Sequence, residues 1–156
     1  MKTIAITGAS GFVGTSLTKY FSNLGYKIIA ISRDILNNQE KLKDTLNQTD
    51  IVINLAGANI INRWSDSYKK LLYSSRIDTT SKIVNAINSI ENKPKLLIST
   101  SAVGIYDNKS THNENGTFSN DFLSNLCQDW EKEALKANNE TTKVAIFRFG
   151  IVLGRD

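Results

Sequence analysis

The sequence predicts a three-layer α/β fold with a parallel sheet of about five strands, on three observations. Short apolar runs rich in β-branched residues alternate with stretches of roughly helical periodicity along the chain. The first run, Thr3-Ile4-Ala5-Ile6, passes into Thr7-Gly8-Ala9-Ser10-Gly11-Phe12-Val13-Gly14, a glycine turn that opens onto a helix. Later runs are continuously apolar, as parallel strands covered on both faces are. Together these describe a doubly wound, Rossmann-like sheet with right-handed crossovers.

Composition bounds the function. The 156 residues suit one domain, 1–156, and 40% hydrophobic with 22% charged residues marks it as globular. No apolar run approaches the ~20 residues that span a bilayer, so no membrane partner is expected. Met1-Lys2 leads directly into the first strand, so no signal peptide is expected, and Cys127 is the sole cysteine. A cytoplasmic location is the expectation. One His and one Cys offer no zinc cluster. The net charge is +4, but the lysines are scattered, so nucleic acid is not an expected partner.

In the glycine turn, Gly8 lets the chain leave the strand sharply, Gly11 lets a pyrophosphate approach the backbone, and Gly14 brings the helix close to the sheet. Ser10, Phe12 and Val13 complete the expected cofactor cradle at the helix N-terminus, where free N–H groups and the macrodipole favour phosphate. Phe12, Val13, Leu17, Tyr20, Phe21 and Leu24 carry the helical period, and Gly25 is placed as its C′ stop. Lys27 to Ile31 is the second strand, expected to be buried on both faces. It ends at Ser32-Arg33-Asp34. Ser32 at the position of the ribose-binding acid, followed by Arg33 for a 2′-phosphate, favours NADP(H). A one-residue shift would instead put Asp34 on the ribose and make the ligand NAD(H).

Gln39 to Asn47 reads as a short polar helix with Leu42 and Leu46 on one face. Asp50 to Gly57 reads as a buried strand whose small end, with Leu55, Ala56 and Gly57, is expected to lie against the cofactor's adenosine side. Only 18 residues lie between Ser32 and Ile51, so one strand of the usual doubly wound set is expected to be missing or vestigial. A loop with Arg63-Trp64 leads to a long helix, 66–88, with Leu72, Ile83, Val84 and Ile87 inward. Lys95 to Ser101 is a strand ending in hydroxyls, followed by a polar loop to Ser119. Phe122, Leu126, Trp130 and Ala134, with Leu123 and Cys127, form a buried helix face. Lys143 to Phe149 is the last strand, and Gly150 to Asp156 leaves it.

These motifs carry a resemblance. Gly8-x-x-Gly11-x-x-Gly14, Asn54-Leu55-Ala56-Gly57 and Arg148-Phe149-Gly150-Ile151-Val152-Leu153-Gly154 resemble an extended short-chain dehydrogenase/reductase. Arg63-Trp64, Ser75-Arg76, Ser101 to Tyr106, and Leu126-Cys127 with Trp130-Glu131 are similar to its atypical "epimerase family protein" branch. The resemblance implies NADP(H) binding and either an oxidoreductase or a nucleotide-sugar epimerase-like activity on a carbonyl- or hydroxyl-bearing small molecule. Typical extended members use a Tyr-x-x-x-Lys pair; here Leu123 and Cys127 stand in its place. The alternative is therefore a non-catalytic NADP(H)-sensing regulatory module. The family also continues into a substrate-binding region, expected to be absent after Asp156.

Two candidates for catalysis remain. Ser101 is a strand-end hydroxyl that can bond a substrate carbonyl or alcohol. Tyr106, on the loop beyond, is the surviving acid/base candidate and needs a cationic neighbour; Arg63 or Arg76 can supply it, bind a substrate phosphate, or simply tie loops together. Arg148 either closes the cleft or pairs structurally, Cys127 packs inertly, and His112 is expected to be exposed and idle. The last strand is expected to have an uncovered edge and a partly bare face, giving self-association.

Overall fold

Five strands, β1 (Thr3–Thr7), β2 (Lys27–Ile31), β3 (Ile51–Asn54), β4 (Leu96–Ala102) and β5 (Lys143–Phe149), form one parallel sheet in the order β2-β1-β3-β4-β5. The computed structural model describes residues 1–154, so Arg155 and Asp156 of the run expected to leave the last strand lie outside it. Five helices connect the strands: α1 (Phe12–Asn23), α2 (Arg33–Asn37), α3 (Gln39–Leu46), α4 (Asp66–Ser89) and α5 (Phe122–Leu135). From β1 the chain steps outward to β2, then returns to the other side of β1 as β3. Between β2 and β3 there are only α2 and α3, so the usual further strand is missing.

The pleat divides the apolar residues into two cores. Ala5, Val52 and Leu97 point to the face packed by α3 and α4 through Leu42, Leu46, Ile83, Val84 and Ile87. Ile4, Ile6 and Ile53 point to the opposite face, against Leu17 and Phe21 of α1. That second face is less covered: over β5, Phe147 is 50% exposed.

Three local expectations need correction. β2 is an edge strand with Lys27 and Ala30 exposed, not a strand buried on both faces. An apolar run records parallel pairing but not whether a strand stands on both sides. The Ser32-Arg33 corner opens a helix, α2, too short for any period to show. His112 is not exposed and idle: its side chain is 10% exposed, bonded to Asp107 and stacked on Tyr106 at 5.2 Å. Gly8 does turn the chain, with φ +68°, a conformation that favours glycine.

Candidate functional site

The cleft lies at the carboxyl ends of β1, β3 and β4, where strand order reverses, which is where open α/β sheets bind ligands. Its volume is about 320 Å³, and Gly11, Val13, Leu55, Gly57, Arg76, Ser101, Cys127 and Phe149 are among its walls.

On the β1 side the wall is the N-terminus of α1. Side chains cap the other four helices: Ser32, Asn38, Ser65 and Asp121 each accept a backbone N–H. α1 begins at Gly11 without any side-chain cap. Among the described residues the amides of Phe12, Val13 and Gly14 have no acceptor outside the helix, whereas Thr15 already donates to the Gly11 carbonyl. Gly14 fits here because a Cβ would lie 2.1 Å from the Gly8 oxygen and 2.7 Å from the Ala9 Cα. Its close approach is thus to the turn's own backbone, not to the sheet. The turn and helix end form a tight ring of N–H donors that suits a diphosphate. Ser10 is exposed on this turn, and Phe12 is half-exposed at its edge.

The floor is a buried polar chain. Thr7 Oγ1 donates to Asn54 Oδ1 (2.7 Å) and accepts the Leu55 amide (3.1 Å), with the Ala56 amide at 3.3 Å. Asn54 Nδ2 donates to Thr80 Oγ1 (2.9 Å), which also accepts Trp130 Nε1 (2.9 Å). This links β1, β3, α4 and α5 and fixes where Leu55-Ala56-Gly57 leaves the sheet. Motif reading touched Asn54 and Trp130 but had no means of joining residues so far apart in sequence.

At the β2 corner, Ser32 Oγ accepts the Ile35 amide (3.3 Å), so its hydroxyl caps α2. Asp34 pairs with Lys41 at 2.8 Å. Arg33 has no hydrogen-bond or ion-pair partner among the described residues and is exposed.

Ser101 and Tyr106, the two candidates for catalysis, are not brought together. Ser101, next to last in β4, is 3% exposed, lines the cleft, and its Oγ lacks a hydrogen-bond partner in good geometry among the described residues. Beyond it a 3-10 turn (Val103–Ile105) carries Tyr106 away from the cleft. There the Tyr106 hydroxyl accepts from Arg148 (2.6 Å), and Arg148 grips both Glu131 oxygens, at 2.7 and 2.8 Å. Its guanidinium also stacks on Tyr106 and Phe118, at 5.1 and 5.2 Å. The Glu131 contact holds the Arg148 pKa above its ordinary value. Of the two roles open to Arg148, the geometry is that of pairing. Trp64 packs edge-on against Phe122 (5.8 Å) and donates to the Ile60 carbonyl. Arg63 is exposed, whereas Arg76 is half-buried at the cleft wall. Burial raises the Cys127 thiol pKa above its ordinary value.

A model of the NAD dependent epimerase/dehydratase family matches residues 4–156. The chain is 34% identical to the chloroplastic epimerase family protein SDR39U1 homolog of Arabidopsis thaliana, over 99% of this chain and 50% of that one. It is likewise 34% identical to epimerase family protein YfhF of Bacillus subtilis, over 97% and 55%. The crystal structure of human epimerase family protein SDR39U1 (isoform 2) with NADPH superposes with a TM-score of 0.88 at 29% identity, covering 99% of this chain and 55% of that one. The chain spans about half the length of the curated relatives it matches. Among the described residues no helix is long and apolar enough to cross a membrane.

Proposed function

The chain belongs to the NAD dependent epimerase/dehydratase family, and from that premise we propose that it binds NADP(H) and serves hydride chemistry on a carbonyl- or hydroxyl-bearing small molecule. The observation that carries this reading is the α1 N-terminus, the one α-helix start without a side-chain cap among the described residues. Arg33 supports the phosphorylated cofactor: Asp34, the residue an NAD reading needs, is engaged by Lys41 while Arg33 is unengaged. The human relative named above was crystallised with NADPH.

In this reading the Phe12, Val13 and Gly14 amides hold the diphosphate, Arg33 meets the 2′-phosphate, and Leu55, Ala56 and Gly57 flank the adenosine side. The cofactor supplies the hydride chemistry; the protein binds and orients. Ser101 donates its buried hydroxyl to a substrate oxygen, and the apolar walls Leu123, Leu126 and Phe149 exclude water from that point. Tyr106 acts as part of the Arg148 clamp that sets the loop beyond β4. A second reading, a cofactor-sensing module without turnover, is favoured by one fact. Arg76 is the sole charged residue among the described lining residues, with no Asp, Glu, Lys, His or Tyr beside it to move a proton.

Thermal unfolding tests the first reading. NADPH at 100 times its Kd adds about 2.7 kcal/mol, a rise of roughly 5–10 °C for a chain of this size. NADH at the same concentration should give a smaller shift; an equal or larger one would refute the Arg33 assignment. Turnover on alcohols, aldehydes and a nucleotide sugar separates the enzyme from the sensing module.

A further inference from the structure

Arg76 is a half-buried cation in a largely apolar cleft. It projects from α4 to the wall formed by Gly57, and its guanidinium stacks on Trp130 at 5.3 Å. A Cβ on Gly57 would lie 3.0 Å from its Cζ, so the absence of that carbon lets the group lie flat there. Its protein partners are neutral: Leu72 O (3.2 Å), Ser75 Oγ (3.4 Å) and Ala58 O (3.0 Å). Among the described residues no carboxylate lies within ion-pair distance. Arg carries five N–H donors; those three bonds leave Nε–H and one Nη2 hydrogen without a protein partner among the described residues. An unpaired buried charge is costly, and burial pulls the Arg76 pKa below its usual value. The Cys127 thiol is influenced by the charge of Arg76 and by the hydroxyl of Ser101. Ser101 is itself 97% buried, and its Oγ has the Cys127 thiol near it but no partner in good hydrogen-bond geometry among the described residues.

We propose that Arg76 and Ser101 form a receptor for a small acidic substrate, one whose carboxylate adjoins the reacting carbonyl or alcohol. This deepens the hydride-chemistry reading above and rests on it. A guanidinium with two unused donors suits a carboxylate, and a hydroxyl on the wall of the same cleft suits the neighbouring oxygen. Ser101 stands two strands from β1, about 10 Å at the spacing of a sheet, so it does not share the diphosphate held by α1. Cys127, on the same cleft wall, does not compete for the anion, because burial keeps its thiol protonated.

The probes are oxamate, which carries a carboxylate beside a carbonyl, and oxamide, its neutral counterpart. Binding of each is measured by calorimetry on the full chain, with and without NADP⁺, for wild type, Arg76→Gln, Arg76→Lys and Ser101→Ala. Oxamate should bind wild type and oxamide should not. Arg76→Gln should weaken oxamate about tenfold or more while leaving the NADP⁺ Kd within about twofold. Arg76→Lys should lie between, and Ser101→Ala should cost about threefold to tenfold. If Arg76→Gln does not fold, the Lys and Ser101 variants carry the comparison, since removing an unpartnered hydroxyl orphans nothing. Equal binding of oxamide, or oxamate binding indifferent to Arg76→Lys and Ser101→Ala, would overturn the receptor. So would loss of NADP⁺ affinity in Arg76→Gln with oxamate unchanged, which would give Arg76 to the cofactor's diphosphate. An oxamate effect lost in Arg76→Gln, with no NADP⁺ binding by wild type, would overturn the cofactor reading alone and leave the receptor standing.

Discussion

Two strand-to-helix connections leave the same edge of the sheet and treat their polar groups in opposite ways. The β1–α1 turn is four residues, Gly8 to Gly11, with no charge and no cap, and its helix opens with unmet amides. The β4–α5 connection runs from Val103 to Asp121, and several of its polar groups, with the strand and helix beside it, are engaged. Arg148 is held by Glu131 and Tyr106, His112 by Asp107, and the α5 amides by Asp121. A protein does not leave donors unmet in a cleft without cost, so on the proposed function the first connection takes a ligand and the second none. Tyr106, a candidate for proton transfer by residue type, falls in the saturated region.

The largest expected effect closes the open connection. Gly11→Asp gives α1 the cap it lacks and puts a carboxylate where phosphate would sit. A Cβ here meets the Gly8 oxygen at 3.2 Å, a contact that a shift of a few tenths of an ångström relieves. Stability should change by only a few tenths of a kcal/mol, since glycine is already a fair cap. NADPH affinity, read by calorimetry, should fall at least about a hundredfold, or ~2.7 kcal/mol. Undiminished affinity would break the contrast between the two connections.

Next is the reverse experiment on the saturated side. Arg148→Met removes the guanidinium and leaves Glu131, 9% exposed, without its partner. Breaking a fully buried pair costs 3–5 kcal/mol; here the side chains are 19% and 11% exposed, so about 2 kcal/mol is expected, or roughly 4–8 °C in Tm. Cofactor affinity should hold, because no residue of this clamp lines the β1 side of the cleft. A mutant as stable as wild type would show the cluster to be incidental.

How much of this contrast the sequence made legible follows from its range. The open connection is local: Gly8, Gly11 and Gly14 sit within one turn and helix start, and their spacing states their use. β5 was legible as Lys143 to Phe149 because a strand's period is local too. The saturated connection is long-range. Arg148 meets Glu131 across 17 residues and Tyr106 across 42, and no spacing rule links them. His112 read as idle because nothing in a polar loop announces that Tyr106 will stack on it. Arg76 stood among the candidate cations, but only the packing of α4 places it on the cleft wall without a carboxylate partner among the described residues. Arg33 was legible by motif, and its test is smaller. Arg33→Ala should narrow the preference for NADPH over NADH by about tenfold, near 1.4 kcal/mol, in paired titrations.

The smallest effect sharpens the comparison at its second helix start. Asp121 Oδ1 accepts the Ser124 amide at 2.9 Å and Oδ2 accepts the Ser119 hydroxyl at 2.8 Å. The Ser124 amide first, then that hydroxyl, holds its carboxyl below the ordinary value. A depressed carboxyl contributes stability that is complete above the unfolded value near pH 4 and is lost as pH falls through the folded one. Asp121→Ala should therefore cost about 1 kcal/mol at neutral pH, the usual worth of a cap. Asp121→Asn keeps an acceptor for the helix amide but cannot ionise. It should match wild type within a few tenths of a kcal/mol at pH 7 and show a flatter fall of Tm between pH 5 and pH 3. α1 provides the control, because no titrating group caps it: NADPH-free Gly11→Asp should gain the acid-side slope that Asp121→Asn loses. If Asp121→Asn keeps the wild-type slope, the cap is not the group that titrates, and the contrast between a helix start made for a ligand and one closed by its own side chain must rest on the amides of α1 alone.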